Sequence, residues 1–390
     1  MLHRAGPYGA APRLPRRGED AARRPAGVGV ARIALLGTGL VGGSVGLALT
    51  KRGFVVRGYD TDPARAEQAR DLGAITEVAT TVRDAVAGVE LAIVAVPVGA
   101  VAGLAIAALD AGALVVTDVG SVKAAIVQEV EAARPQLASQ FVGGHPMAGS
   151  EQDGLAGADA DLFAGAAWVL TPTAGTDPAA YTTVRSVVGL LGAEIIEVTP
   201  EDHDALVAVV SHVPQLAATT LMDVAATSGE QQATLLRLAA GGFRDMTRIA
   251  AGHPGIWPDI CVANRDAILA ALDAYLGALA DVRSLVDAGE GGELLALLDR
   301  ARVARRNLPV GRPDLGPMVE LRIPVPDRPG VIAEVTTLAG RLGVNIVDVE
   351  VAHTMEGGAG VLTLVVPQTG EARFEAALVD AGYHVSRSAL

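Results

Sequence analysis

The run 31–36, Ala-Arg-Ile-Ala-Leu-Leu, is short and apolar, and it stops at Gly37-Thr38-Gly39-Leu40-Val41-Gly42, after which helical spacing begins. No other stretch constrains the fold as tightly. A buried strand that breaks at G-x-G-x-x-G and re-enters a helix calls for a parallel sheet beneath it and an anionic ligand above it. The first glycine permits the tight turn, the second lets a pyrophosphate approach the backbone, and the third allows close helix packing. The helix start points its unpaired N–H groups at phosphates. Asp60 follows the second apolar run, 23 positions after Gly37, near the roughly 20 expected of the acid that binds an adenosine ribose. A carboxylate there accepts from both ribose hydroxyls and repels a 2′-phosphate, so NAD is expected rather than NADP. The plain alternative is a glycine-rich turn that holds no ligand. Cofactor contacts are thus assigned to Gly37, Thr38, Gly39, Leu40, Val41, Gly42 and Asp60. Val96 and Pro97, at the end of a strand predicted over 91–96, join them, although Pro97 also reads as an ordinary strand terminator.

Apolar runs recur at 54–58, 91–96, 114–118 and 167–170, separated by helical stretches. Strands alternating with helices predict an α/β class, a Rossmann-like doubly wound parallel sheet over residues 30–198. From 199 to 310 long helical stretches dominate and read as a separate all-helical domain. Residues 307–317 carry three prolines and two glycines, which marks a linker, placed at 311–317. Beyond it a strand is predicted over 319–325, a turn over 326–330, a helix over 331–342, strands over 346–352 and 361–367, a helix over 372–381 and a last strand over 384–387. This βαββαβ order across 318–390 is the ferredoxin-like arrangement.

At 390 residues the chain exceeds what one hydrophobic core organises, which agrees with several domains. A composition that is 50% hydrophobic excludes general disorder. The net charge of -13 argues against a nucleic-acid partner, while a few well-placed arginines still suit an anionic substrate. Cys261 is the only cysteine, so no intrachain disulfide forms and a reducing compartment is expected. No uninterrupted apolar stretch reaches the roughly 18 residues of a transmembrane helix. Residues 1–29 are rich in Arg, Pro, Gly and Ala and lack the apolar core of a secretory signal; they read as a disordered tail or as a start assigned too early. The expectation is a cytoplasmic protein with no membrane partner, and no metal site is read.

Two more segments should end strands on the ligand-binding edge of the sheet. One is Thr117-Asp118-Val119-Gly120-Ser121-Val122-Lys123. The other is Val142-Gly143-Gly144-His145-Pro146-Met147-Ala148-Gly149-Ser150-Glu151. His145, held by a stiff backbone between Gly144 and Pro146, suits a positioned base; taken alone, a loop histidine is more often structural or solvated, and its placement beside a dinucleotide site favours the base.

These motifs, with Ser211-His212-Val213-Pro214 and Phe243-Arg244-Asp245-Met246-Thr247-Arg248-Ile249-Ala250, resemble the prephenate dehydrogenase family over roughly residues 32–306. The resemblance implies NAD-dependent oxidative decarboxylation of prephenate to 4-hydroxyphenylpyruvate in tyrosine biosynthesis, and a helical domain that forms a homodimer. Hydride leaves the carbinol carbon as CO2 departs, and the hydroxyl loses its proton. His145 matches the catalytic histidine. Ser121 matches the serine that orients the hydroxyl and the histidine; it also reads as a helix N-cap. Arg248 matches the arginine whose planar fork grips a substrate carboxylate, and by itself reads as a surface ion-pair partner. Ser150 and Glu151 match residues at the mouth of the substrate site, or form an N-cap pair. His203 and His212 lie nine positions apart on one predicted helix, so on an unbroken helix they face opposite sides unless Pro214 distorts it. His212 is assigned to the substrate. Gln215, where some members carry a second histidine, is assigned with it.

The turn Asp327-Arg328-Pro329-Gly330, followed by Gly343-Val344-Asn345-Ile346, resembles the ligand loop of ACT domains. The implied effector is tyrosine, held near Asp327, Arg328, Pro329, Gly330, Asn345 and Ile346; a purely structural dimerisation module is the alternative. Arogenate or dual cyclohexadienyl specificity stays open. A β-hydroxyacid dehydrogenase would use a lysine in the helical domain, and none follows Lys123. Against a non-catalytic sensor of NAD and an amino acid stands the joint presence of Ser121, His145 and Arg248.

Overall fold

The computed structural model describes residues 32–149, 154–227, 238–308, 317–326, 328–353 and 359–389. The predicted tail 1–29, most of the linker, Ser150, Glu151 and Asp327 lie outside the described residues. The chain divides into two compact units, Met1–Ala208 with Gly252–Ile268, and Val209–Ala251 with Leu269–Leu390.

The first unit begins β1 (Arg32–Leu36), α1 (Leu40–Thr50), β2 (Val55–Tyr59), α2 (Pro63–Asp71), β3 (Glu77–Val78), α3 (Val82–Val86), β4 (Leu91–Val94) and α4 (Val98–Asp110). It continues with β5 (Val116–Asp118), α5 (Ala124–Ala133), β6 (Phe141–Pro146), β7 (Ala167–Thr171), α6 (Pro178–Leu190), β8 (Glu194–Glu197) and α7 (Pro200–Val207). The strands form one sheet in the order β3-β2-β1-β4-β5-β6-β7-β8. Alternate residues of β1 enter different cores: Ile33 and Leu35 pack with Leu49, Phe163 and Trp168, while Ala34 and Leu36 pack with Val94, Val101 and Val116. Both faces are covered, which is why this strand reads as a continuous apolar run.

The sheet is mixed, where an all-parallel one was expected. β6 pairs antiparallel with β7, and the other pairs are parallel. A parallel return needs a crossover, usually a helix; the described part of the β6–β7 connection holds only the 3-10 turn Leu155–Gly157. β4 ends at Val94 rather than Val96, since Pro97 takes the N-cap position of α4. β8 escaped the sequence reading because Glu-Ile-Ile-Glu at the sheet edge is largely exposed and has no apolar run.

The helical stretch from Pro200 to Ala226 is not continuous α-helix. α7 passes into a π-helical segment, Ala208–His212, before α8 (Val213–Ala226). Pro214 has no N–H for the Val210 carbonyl and its ring crowds that turn, so the expected unbroken helix cannot form there. By length and composition these 27 residues are apolar enough to cross a membrane. The stretch nevertheless buries Asp204, His203, His212 and Gln215.

In the second unit α8 packs against α9 (Gly241–Thr247) and the 3-10 turn Arg248–Ala251. After α10 (Trp257–Ala263) of the first unit come the long helices α11 (Arg265–Ala288) and α12 (Gly291–Arg306). These carry exposed Leu276, Leu279, Val286, Leu295, Leu298 and Val303.

The C-terminal elements are β9 (Met318–Pro326), α13 (Val331–Arg341), β10 (Asp348–His353), β11 (Ala359–Pro367), α14 (Gln368–Asp380) and β12 (Ser386–Ala389). The sheet order is β10-β11-β9-β12, and every pair is antiparallel. Along β9, Val319, Leu321, Ile323 and Val325 alternate into a core shared with Val335, Phe374 and Leu378. One face of the sheet is thereby buried under the two helices.

Candidate active site

Each glycine of the 37–42 turn meets a different requirement. Gly37 has φ +100°, and a Cβ on it would stand 2.2 Å from the Ala95 carbonyl oxygen. A Cβ on Gly42 would stand 2.1 Å from the Gly37 oxygen. Both close approaches admit only hydrogen. A Cβ on Gly39, at the N-cap of α1, would meet nothing within 4 Å. Packing within the chain therefore does not demand glycine there, whereas a phosphate approaching the free N–H groups of the helix start does. The turn fits a dinucleotide.

Asp60 is buried, and its Oδ2 accepts from both Thr38 N–H and Thr38 Oγ1–H, each at 2.9 Å. Oδ1 accepts from Asp62 N–H at 3.0 Å and faces the Arg65 guanidinium at 3.7 Å. The carboxylate thus braces the phosphate turn, a role its spacing did not announce, and Oδ1 retains accepting capacity for a ribose hydroxyl. Val96 lines the Gly37 turn, and Pro97 is exposed beside it.

β5 and β6 end side by side, and a buried clasp joins them. Asp118 and Lys123 are fully buried and form an ion pair between Oδ2 and Nζ. Asp118 Oδ1 accepts from Gly144 N–H at 3.0 Å, Oδ2 accepts from Gly120 N–H at 2.8 Å, and Lys123 Nζ donates to the Gly144 carbonyl at 2.9 Å. The residue before His145 is therefore gripped through both its N–H and its C=O. Burial pushes the Lys123 ammonium below the usual amine range, opposed by the charge of Asp118 and then of Asp204. A Cβ on Gly144 would stand 2.6 Å from the Asp118 carbonyl oxygen, so only glycine lets the strands approach this closely.

His145 lies near the end of β6, partly exposed, with Nδ1 2.8 Å from Nε2 of His203 on α7. His203 is 1% exposed, and its Nδ1 stands 2.7 Å from Asp204 Oδ1. Asp204 reaches across to the start of α5, where Oδ1 accepts from Lys123 N–H at 2.8 Å and Oδ2 from Ala124 N–H at 2.9 Å. The side-chain amide of Asn264 donates to the Asp204 carbonyl at 2.9 Å. Asp204 therefore caps α5, and Ser121, read in sequence as a possible N-cap, lies partly exposed in the preceding turn.

Sequence reasoning named His203 without a role, quoted Asp118 and Lys123 only within a strand-end segment, and missed Asp204 and Asn264. One signal was available. The buried face of α7 is Pro200, His203, Asp204 and Val207, the i, i+3, i+4, i+7 stripe; two ionisable groups on such a stripe need partners.

In the second unit His212 and Gln215 are buried at the start of α8, and Gln215 Nε2 donates to Thr219 Oγ1 at 3.5 Å. Arg248, exposed, opens the 3-10 turn that packs on α8. Cys261 is partly buried, and burial pushes its thiol up, away from thiolate reactivity. Near the C-terminus, Arg328, Pro329, Gly330, Thr336 and Val351 line a cavity of about 750 Å³. Asn345, exposed, and Ile346, packed on the core, do not line it.

Residues 45–197 match the family model described as prephenate dehydrogenase, nucleotide-binding domain, and residues 199–300 match that of prephenate dehydrogenase, dimerization domain. A prephenate dehydrogenase of Bacillus subtilis is 34% identical over 338 residues, 85% of this chain and 91% of that protein. The chain belongs to the prephenate dehydrogenase family. As a member of that family it is an NAD-dependent oxidoreductase of aromatic amino-acid biosynthesis. The solved A. aeolicus prephenate dehydrogenase, in complex with hydroxyphenyl propionate and NAD+, aligns with a TM-score of 0.67 and 30% identity, covering 72% of this chain and 99% of that one. The Synechocystis arogenate dehydrogenase aligns with a TM-score of 0.63 and 31% identity, covering 70% and 99%. In this prephenate dehydrogenase family member the glycine turn and His145 stand at the carboxyl edge of one sheet.

Proposed function

We propose that the chain oxidatively decarboxylates prephenate to 4-hydroxyphenylpyruvate with NAD, and that His145 is the base. The observation that carries this reading is the position of His145, at the end of the strand parallel to β5, on the edge that holds the glycine turn. Bound at that turn, NAD supplies a two-electron acceptor for the hydride. The residues do the rest. The His145 imidazole accepts the hydroxyl proton, which contributes about 10²- to 10⁴-fold for a well-placed base. The Asp118–Lys123 clasp holds the peptide that aims it, Ser121 orients the hydroxyl, and Arg248 with His212 and Gln215 binds the carboxylate end of the substrate. Ser150 and Glu151 are assigned to the mouth of the site on sequence grounds alone. Steady-state rates with prephenate and arogenate, each with NAD and NADP, test the reading: prephenate with NAD should be the fastest pair. The likeness to the arogenate dehydrogenase makes arogenate with NAD the competing outcome.

Residues 318–390 are proposed to be an ACT-type, ferredoxin-like regulatory domain that binds tyrosine. Support comes from the strand and helix order, from the antiparallel sheet, and from the cavity beside Arg328, Pro329 and Gly330. Gly330, with φ +91°, occupies the N-cap of α13, where an amino-acid carboxylate would meet free N–H groups. A homodimer is proposed through the helical region, whose long helices expose Leu276, Leu279, Leu295 and Leu298.

A further inference from the structure

We infer that His203 and Asp204 are positioning residues that fix the tautomer of His145, leaving the proton on Nδ1 and the lone pair on Nε2. The inference rests on the reading of His145 as the base. The Asp204 carboxylate already accepts two backbone N–H groups at the start of α5. An ionised carboxylate only accepts, so His203 Nδ1, at 2.7 Å, is the donor. A neutral imidazole has one N–H, and that proton is committed to Asp204. His203 Nε2 is then an acceptor, and the atom 2.8 Å from it, His145 Nδ1, must donate. With His203 neutral, these two contacts call for one arrangement, with the basic nitrogen of His145 at Nε2. Histidine free in water favours the opposite tautomer, so the fold inverts the intrinsic preference.

The arrangement also serves the charged state. When Nε2 takes the substrate's hydroxyl proton, His145 becomes an imidazolium that still donates from Nδ1 to His203. The carboxylate of Asp204 then stands one imidazole away as the opposing charge, in a region walled by buried Lys123 and Asp118. A fixed charge of this kind needs no reorganisation as the reaction proceeds. If His203 were instead an imidazolium, both of its nitrogens would donate, His145 Nδ1 would accept, and Nε2 would carry a proton and be unable to act as a base. A purely structural His203, present only to satisfy Asp204, predicts no fixed tautomer on His145.

The tautomer is read directly by ¹⁵N NMR of the full chain labelled at histidine, without ligand, the His145 signals being identified by their loss in His145→Asn. The expected wild-type spectrum shows His145 protonated at Nδ1, and in His203→Leu the proton moves to Nε2. In the prephenate assay His203→Leu should lower kcat by about 10- to 100-fold, a part of what a positioned base contributes, with both KM values within about threefold. His203→Gln, whose side-chain oxygen can accept from His145, should recover much of the lost kcat. A wild-type His145 protonated at Nε2 overturns the inference, as does a His203→Leu protein whose kcat stays within twofold of wild type. Should the chain leave prephenate untouched while His145 is protonated at Nδ1, the assignment of the substrate fails and the tautomer assignment stands.

Discussion

The imidazoles of His145 and His203 meet edge to face, Nδ1 to Nε2 at 2.8 Å, with their planes inclined by 70°. The contact ties the end of a central strand to the first turns of a helix that begins at Pro200. Behind it, Asp204 fastens the same helix to the N-terminus of α5. The site is therefore held by groups on three elements, and removing any one should have a distinct signature.

Lys123→Met leaves Asp118 charged, buried and without its cation. Breaking one half of a buried pair costs about 3–5 kcal/mol, and urea unfolding should show a loss of that size. Adding Asp118→Asn removes the stranded charge, so the double variant should regain at least half of the loss. A single variant as stable as wild type would show that the clasp does not support the fold.

Asp60→Ala strips Thr38 of the acceptor for its N–H and its hydroxyl. Leaving a buried donor unsatisfied costs about 1–3 kcal/mol, so thermal unfolding should shift downward. NAD affinity, measured by titration calorimetry, should fall at the same time. In the wild type NAD should bind more tightly than NADP, and the reverse order would remove Asp60 from the ribose.

Much of the fold was legible because its signals are local. The run at 31–36 and its glycines, and the C-terminal order of strands and helices, follow from periodicity within a few residues. The antiparallel pairing of β7 was not legible, since it depends on the path of the connecting segment and not on a local run. Nor was the cap of α5, where Asp204 bonds Lys123 N–H across 81 positions. The π segment was half legible: Pro214 marked a disturbance, but its form depends on how the surrounding residues pack.

Glu334 is held at a pKa of about 2, against an ordinary 4.5, first by its hydrogen bond from Arg328 and then by that from Tyr383. A carboxyl depressed in the folded state gives stability that is complete above pH 4.5 and is lost as pH falls toward about 2. Glu334→Gln should flatten that part of the acid unfolding profile of the C-terminal region. Both side chains are about half exposed, so high salt should shrink the effect. A wild-type profile that is already flat between these limits would count against the pair.

Tyrosine should inhibit the full chain and should not inhibit a chain ending at Arg306. In the full chain Gly330→Val, which forces a β-branched residue to φ +91°, should weaken inhibition while leaving uninhibited turnover near wild type. Equal inhibition of the full and shortened chains would place the sensing in the active site.

Proton removal by His145 is tested most directly by following NADH absorbance when prephenate and NAD are mixed with wild type and with His145→Asn. Turnover should be lower by at least about two orders of magnitude in the variant, with NAD affinity nearly unchanged. Equal turnover in the two proteins would contradict that role for His145.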